Sequence, residues 1–242
     1  MKLKTYPKLV HGNLLDFSQG VSPETFKAWD GERLQLPNEG THFGFVYTGN
    51  AILYRNAGMQ EYRVHPGMYF RLPGDGWIGG ENSSGFVVTC PNYSGTFLIG
   101  GPIESTGRMG YINGGTDSVI IPPIRLGDPC LNALYFPTKT DQTAHTHPSY
   151  RMVMVIEGSG ECETPEGTIP LEPGIALFIP TNYLHKFRTN EHKLTAICFH
   201  PDSDTGFTDD DHPMLKRTIV EGMSASQIPE IQTMILSNKP QI

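Results

Sequence analysis

The sequence predicts an all-β protein made of two barrels in tandem, and three observations carry that prediction. Short apolar runs rich in Val, Ile, Phe and Tyr recur along the 242 residues, bounded by Gly, Pro and Asn. Such runs have strand length and strand composition. Next, 27 Gly and 20 Pro stand against only 18% charged residues, where a soluble chain averages about 25%. Turns are therefore abundant and solvated helix surface is scarce. Finally, the chain repeats itself. Gly49 at the end of FGFVYTG corresponds to Gly158 at the end of MVMVIEG, an offset of 109. Gly67 and Pro73 correspond to Gly174 and Pro180 at an offset of 107, and Cys90 to Cys198 at 108. A near-constant offset marks two copies of one unit of roughly 100 residues. The expected division is 1–110 and 111–242, within the Gly/Pro-rich stretch Gly101–Pro129.

In chain order, FGFVYTG, AILYR, GMYFRLPG and SGFVVTC supply the strands of the first copy. The second copy takes SVIIPP, LNALYFP, MVMVIEG, GIALFIP and LTAICFHP. The helix candidates are Pro23–Trp29 and Ile231–Leu236. The stretch HPMLKRTIVEG reads as a last strand or a crossover to the first barrel. Before it runs an acidic segment, Asp202 to Asp211, whose DSDTG opens like a calcium loop. The twelfth position of such a loop would be Pro213 instead of a bidentate Glu, so a solvated loop is expected.

A net charge of −7 argues against nucleic acid as a partner, because that role needs a basic footprint. No apolar run reaches 18 residues, so no membrane span is expected. The opening MKLKTYPKLVHGN lacks the apolar core of a secretory signal. Cys90, Cys130, Cys162 and Cys198 form no C-x-x-C pair. Four reduced, buried thiols in a cytoplasmic protein are the expectation.

The second copy carries the chemistry. In an extended chain residues i and i+2 share a face, so His145 and His147 point together, and His185 follows the run GIALFIPTNYL. Converging neutral imidazoles suit a divalent transition metal. The spacing H145-T-H147-x3-R151-x6-G158, then G174-x5-P180-x-N182-x2-H185, resembles the two motifs of the cupin superfamily. The resemblance covers about Leu131–Pro201 strongly and the first half weakly. It implies two double-stranded β-helix (jelly-roll) barrels, a bicupin, with a metal on His145, His147 and His185. Fe(II) is favoured, with Zn, Mn or Ni also compatible.

Three departures from the motifs refine this reading. The family's carboxylate ligand is replaced by Arg151, which cannot coordinate a cation. By parity Arg151 shares the cavity of His147 with Ser149, Val153 and Val155. It is expected either to grip a substrate carboxylate or phosphate or to pair with an Asp or Glu of its own barrel. Parity also allows Glu157 to face the metal, but its place beside the turn Gly158 speaks against that. The first copy has Leu36, Asn38 and Ile78 at the ligand positions, and its His42 and His65 read as ordinary polar residues. Asn182 replaces a motif glycine and tolerates left-handed backbone.

On the opposite face from Arg151, Tyr150, Met152, Met154 and Ile156 must pack on another sheet, of the first barrel or of a second subunit, so a homodimer is plausible. Tyr135 and Tyr183 are candidates for gating or orienting a substrate. For His200 and His192 a supporting or acid–base role beside the site is open, and a strand-end or loop histidine without a role is the first reading.

Three-histidine cupins include cysteine, gentisate and diketone dioxygenases. The resemblance thus implies a non-haem iron dioxygenase-type enzyme acting on a small, anionic substrate. The alternatives are a redox-neutral isomerase or lyase of keto or sugar acids, and a non-catalytic small-molecule-binding bicupin.

Overall fold

The computed structural model describes residues 2–16, 24–203 and 213–232. They divide into two compact units, Met1–Ser203 and Asp204–Ile242. The first unit holds both barrels. Its strands are β1 (Lys4–Tyr6), β2 (Gly12–Asp16), β3 (Thr25–Asp30), β4 (Leu34–Leu36), β5 (Thr41–Thr48), β6 (Ala51–Arg55), β7 (Gln60–Val64), β8 (Tyr69–Pro73), β9 (Gly76–Gly79), β10 (Ser84–Cys90) and β11 (Leu98–Gly100). There follow β12 (Met109–Gly110), β13 (Thr116–Ile121), β14 (Cys130–Phe136), β15 (Arg151–Gly158), β16 (Gly160–Thr164), β17 (Gly167–Leu171), β18 (Ala176–Ile179), β19 (Lys186–Arg188) and β20 (Leu194–His200).

The internal repeat is visible in the topology. One sheet runs β11-β8-β5-β10-β3-β2 and another β1-β18-β15-β20-β14-β13-β12, so β8-β5-β10-β3-β2 reappears as β18-β15-β20-β14-β13. The smaller sheets, β4-β9-β6-β7 and β17-β16-β19, share the same order in β7-β6-β9 and β17-β16-β19. Gly49 and Gly158 occupy equivalent turns in left-handed backbone, at φ 65° and 79°. A Cβ on Gly158 would lie 1.7 Å from the Lys193 carbonyl oxygen, so only glycine fits.

Each barrel closes over its own apolar interior. Trp29, Leu53, Phe70 and Ile78 fill the first; Leu134, Val153, Leu177 and Phe187 belong to the second. Leu36 and Ile78, at the first copy's ligand positions, are part of that first core. A third core lies between the outward faces of the two large sheets, where Phe43, Phe45 and Phe86 meet Met152, Met154 and Phe199. Strand alternation explains the division: along β15, Val153 and Val155 face inward while Met152 and Met154 face the first barrel. The apolar face of β15 thus finds its cover within the chain.

Four local outcomes differ from the sequence reading. The helix candidate Pro23–Trp29 is mostly strand β3, because Phe26 and Ala28 enter the inter-barrel core while Trp29 enters the first barrel. Lys4–Tyr6 pairs with β18 of the second barrel, Lys4 opposite Phe178, and covers an edge that would otherwise be exposed. A division at 110 and 111 leaves that strand out of its sheet. In the second unit, Pro213–Arg217 is helical, and Ile219–Val220 pairs with Met223–Ser224 in a small hairpin. Most of the acidic run and of Ile231–Leu236 lies outside the described residues.

Candidate metal centre

His145 and His147 lie in the connection between β14 and β15, not inside a strand. Backbone bonds hold that connection in place. His145 and His185 exchange N–H···O bonds of 2.9 and 3.0 Å, and Asn182, at φ 55°, donates to the His147 carbonyl at 2.8 Å. The extended pairing gives the parity expected of a strand, and the turn after β18 delivers His185 opposite His145. One ligand atom from each of the three imidazoles falls within 4.8 Å of the others.

The ring orientations suit a cation. His145 Nδ1 lies 2.9 Å from the Thr143 carbonyl oxygen, and His185 Nδ1 lies 2.9 Å from that of Tyr183. A carbonyl only accepts, so both Nδ1 atoms carry the proton and both Nε2 lone pairs remain for a metal. Burial, helped by the Arg151 charge, pushes His147 down to about 3. Burial likewise lowers His185 to about 4, against the pull of the Tyr183 carbonyl. Neutral imidazoles with free lone pairs are the donor set of a transition-metal site. Among the described residues no carboxylate joins this cluster. Glu157 points to the surface and pairs with Lys193 at 2.9 Å, beyond a register shift that separates it from Val155.

A pH dependence follows from these depressed values. A base whose folded pKa lies below its unfolded value supports stability above the unfolded pKa and loses it as pH falls through the folded one. Buried His42 adds to the effect. Burial lowers it to about 4, and it accepts from the Thr89 hydroxyl and donates to the Pro37 carbonyl. Urea unfolding of the metal-free protein should show stability falling from about pH 6.5 towards pH 4, with about 3 kcal/mol lost through His42 alone. A flat profile across that window contradicts these burials.

Arg151, the first residue of β15, is only 8% exposed. Its Nη1 donates to Ser149 O at 3.1 Å, Ser149 Oγ at 2.6 Å and Tyr150 O at 3.0 Å. The Ser149 hydroxyl in turn donates to Asp202, the described end of the acidic run. Among the described residues no carboxylate forms an ion pair with Arg151. Its buried Nε has no hydrogen-bond partner among the described residues. Arg151 and the three histidines line one cavity of about 40 Å³, walled by Leu134, Phe136, Val153, Ile179 and Phe187.

The two tyrosines do not line it. Tyr135 is the outward neighbour of inward-facing Leu134 and Phe136, so it sits in the inter-barrel core and donates to the Glu104 carbonyl at 2.9 Å. Tyr183 commits its hydroxyl to Glu166, and only its backbone carbonyl serves the site, by orienting His185. Sequence reasoning did not place four polar residues in the lining, Tyr111, Asp117, Gln142 and His200. Tyr111 stands edge-on to His145, with centroids 6.4 Å apart, and burial raises its hydroxyl to about 12. Burial also raises Asp117, which accepts from Asn132 Nδ2 at 2.8 Å. His200 has an available signal, since it continues the inward series Ala196 and Cys198 on β20.

Comparison with known proteins agrees with this geometry. A family model described as "Cupin domain" matches residues 134–200. No curated protein sequence matches the chain. Among solved structures, a Cupin 2 conserved barrel domain protein from Leptotrichia buccalis superposes with a TM-score of 0.56 at 10% identity, covering 82% of this chain and 88% of that one. Protein Ylba from E. coli does so with 0.56 at 16% identity, covering 84% and 89%. Salicylate 1,2-dioxygenase from Pseudoaminobacter salicylatoxidans gives 0.59 at 10% identity, covering 83% and 81%. The chain has the cupin fold, and its residues 134–200 match the cupin-domain model.

Proposed function

We propose that this protein is a metal-dependent oxidoreductase of the non-haem iron dioxygenase type, acting on a small carboxylate-bearing organic substrate. The observation that carries the reading is the pairing of an all-histidine centre with a buried Arg151 that lacks an ion-pair partner among the described residues. His145, His147 and His185 would hold an Fe(II) ion, which would supply redox chemistry with dioxygen. The chain's own residues do the rest. Thr143 and Tyr183 carbonyls fix two rings in the liganding tautomer. Arg151, braced through Ser149 to Asp202, anchors the acid group and sets the substrate's orientation. Leu134, Phe136, Val153, Ile179 and Phe187 give the centre an apolar wall on its barrel side. The salicylate 1,2-dioxygenase likeness supports this reading through fold alone.

Asp117 favours a second reading, a redox-neutral isomerase or lyase of keto or sugar acids. A carboxyl whose affinity for a proton is raised by burial, in the same cavity, is equipped for proton transfer. Oxygen uptake by the Fe(II)-loaded protein, screened across small carboxylates, separates the two. Substrate-dependent uptake that is at least about 10-fold lower in Arg151→Met is the expected result. Turnover of a keto acid without oxygen consumption replaces the first reading with the second.

A further inference from the structure

We propose, resting on the anchor role given to Arg151 above, that Arg151 and His200 form one binding pair for the carboxylate of a short aliphatic acid. Strand register brings them together. Met152 lies opposite Phe199 and Val153 opposite Cys198 across β15 and β20, which sets Arg151 beside His200 at the end of both strands. Alternation turns both inward, because Val153 and Cys198, each two residues away, lie in the second barrel's interior. Both side chains line the cavity of the histidine triad.

Each of the two keeps a buried nitrogen without a hydrogen-bond partner among the described residues, Nε of Arg151 and Nε2 of His200. Arg151 Nε donates, and His200 Nε2 donates in the tautomer that carries its proton there, so an incoming pair of carboxylate oxygens satisfies both atoms. Adjacent strands stand about 5 Å apart, a spacing that long side chains close onto one carboxylate. The acid already in the cavity does not serve. Asp117 lies three strands from β15, level with Leu134 and held by Asn132.

Size narrows the ligand further. The free volume is about 40 Å³, against roughly 300–1,000 Å³ for pockets that enclose drug-sized ligands. On that comparison the space between Arg151, His200 and the triad favours a short acid over a bulky one.

Acetate is the probe, titrated into metal-free protein and followed by NMR, with acetamide as the neutral comparison and benzoate as the bulky one. Acetate is expected to saturate one site, acetamide to show none, and benzoate to bind at least about tenfold more weakly. Arg151→Met and His200→Leu should each weaken acetate about tenfold or more, while His200→Gln, which keeps a donor near Nε2, should recover most of the loss. Equal acetate affinity in His200→Leu, His200→Gln and wild type overturns the pair, and so does benzoate binding as tightly as acetate. Metal stoichiometry and circular dichroism on the same proteins keep the two readings apart. Variants that take up one metal but lose acetate support the pair. Wild-type protein that binds acetate but no metal leaves the pair standing and overturns the metal reading.

Discussion

His185→Ala should bind Fe(II) at least about 100-fold more weakly than the wild-type protein. Loss of a residue that merely orients a ligand already costs about 10–100-fold, and here a direct ligand is removed from a set of only three. His185 is also the most buried of the three, at 1% exposed, and is bonded through both its backbone and Nδ1. Arg151→Met is the control, because Arg151 is no ligand and its loss should leave the metal in place. Calorimetric titration with Fe(II) under anaerobic conditions measures both. Wild-type affinity in His185→Ala would mean that the metal sits elsewhere.

Phe43→Ala should cost about 3–5 kcal/mol of stability, the usual range for a fully buried phenylalanine. Phe43 is 0% exposed, on the outward face of β5 in the first barrel. Its ring meets Phe199 of the second barrel at 5.5 Å and stacks on Tyr93 at 5.8 Å. Phe199 precedes His200 on β20, so the first barrel backs the strand that carries one wall of the site. Equilibrium unfolding in urea checks the value. A loss under about 1 kcal/mol would show that the two sheets do not depend on each other for packing.

Much of this arrangement was legible in the chain itself, for identifiable reasons. The repeat offsets around 108 predicted the duplicated sheet order, since equivalent turns such as Gly49 and Gly158 impose equivalent backbone. Parity within one strand placed Arg151 with Val153 and Val155, and Met152 with Met154, on their correct faces. Parity did not survive the connection between strands. Tyr135 was assigned to the site from its nearness in sequence to His145, yet the irregular stretch between Phe136 and Arg151 breaks the count. Tyr183 failed for another reason: its side chain reaches Glu166 beside a different hairpin, a contact that local sequence does not encode. Asp117 enters the cavity only because β13 pairs with β14, which sets it opposite Leu134. His200 could have been found by extending the inward series of β20. The three-residue strand Lys4–Tyr6 was beyond reach, because its existence depends on the exposed edge of β18.

The central claim is that one metal sits among His145, His147 and His185 in the second barrel. Anomalous diffraction at the iron edge, from crystals of Fe(II)-loaded protein, tests it directly. The account predicts one strong peak within bonding distance of His145, His147 and His185, on the Nε2 side of His145 and His185. A peak on the Nδ1 side, or a sole peak away from the triad, would contradict it.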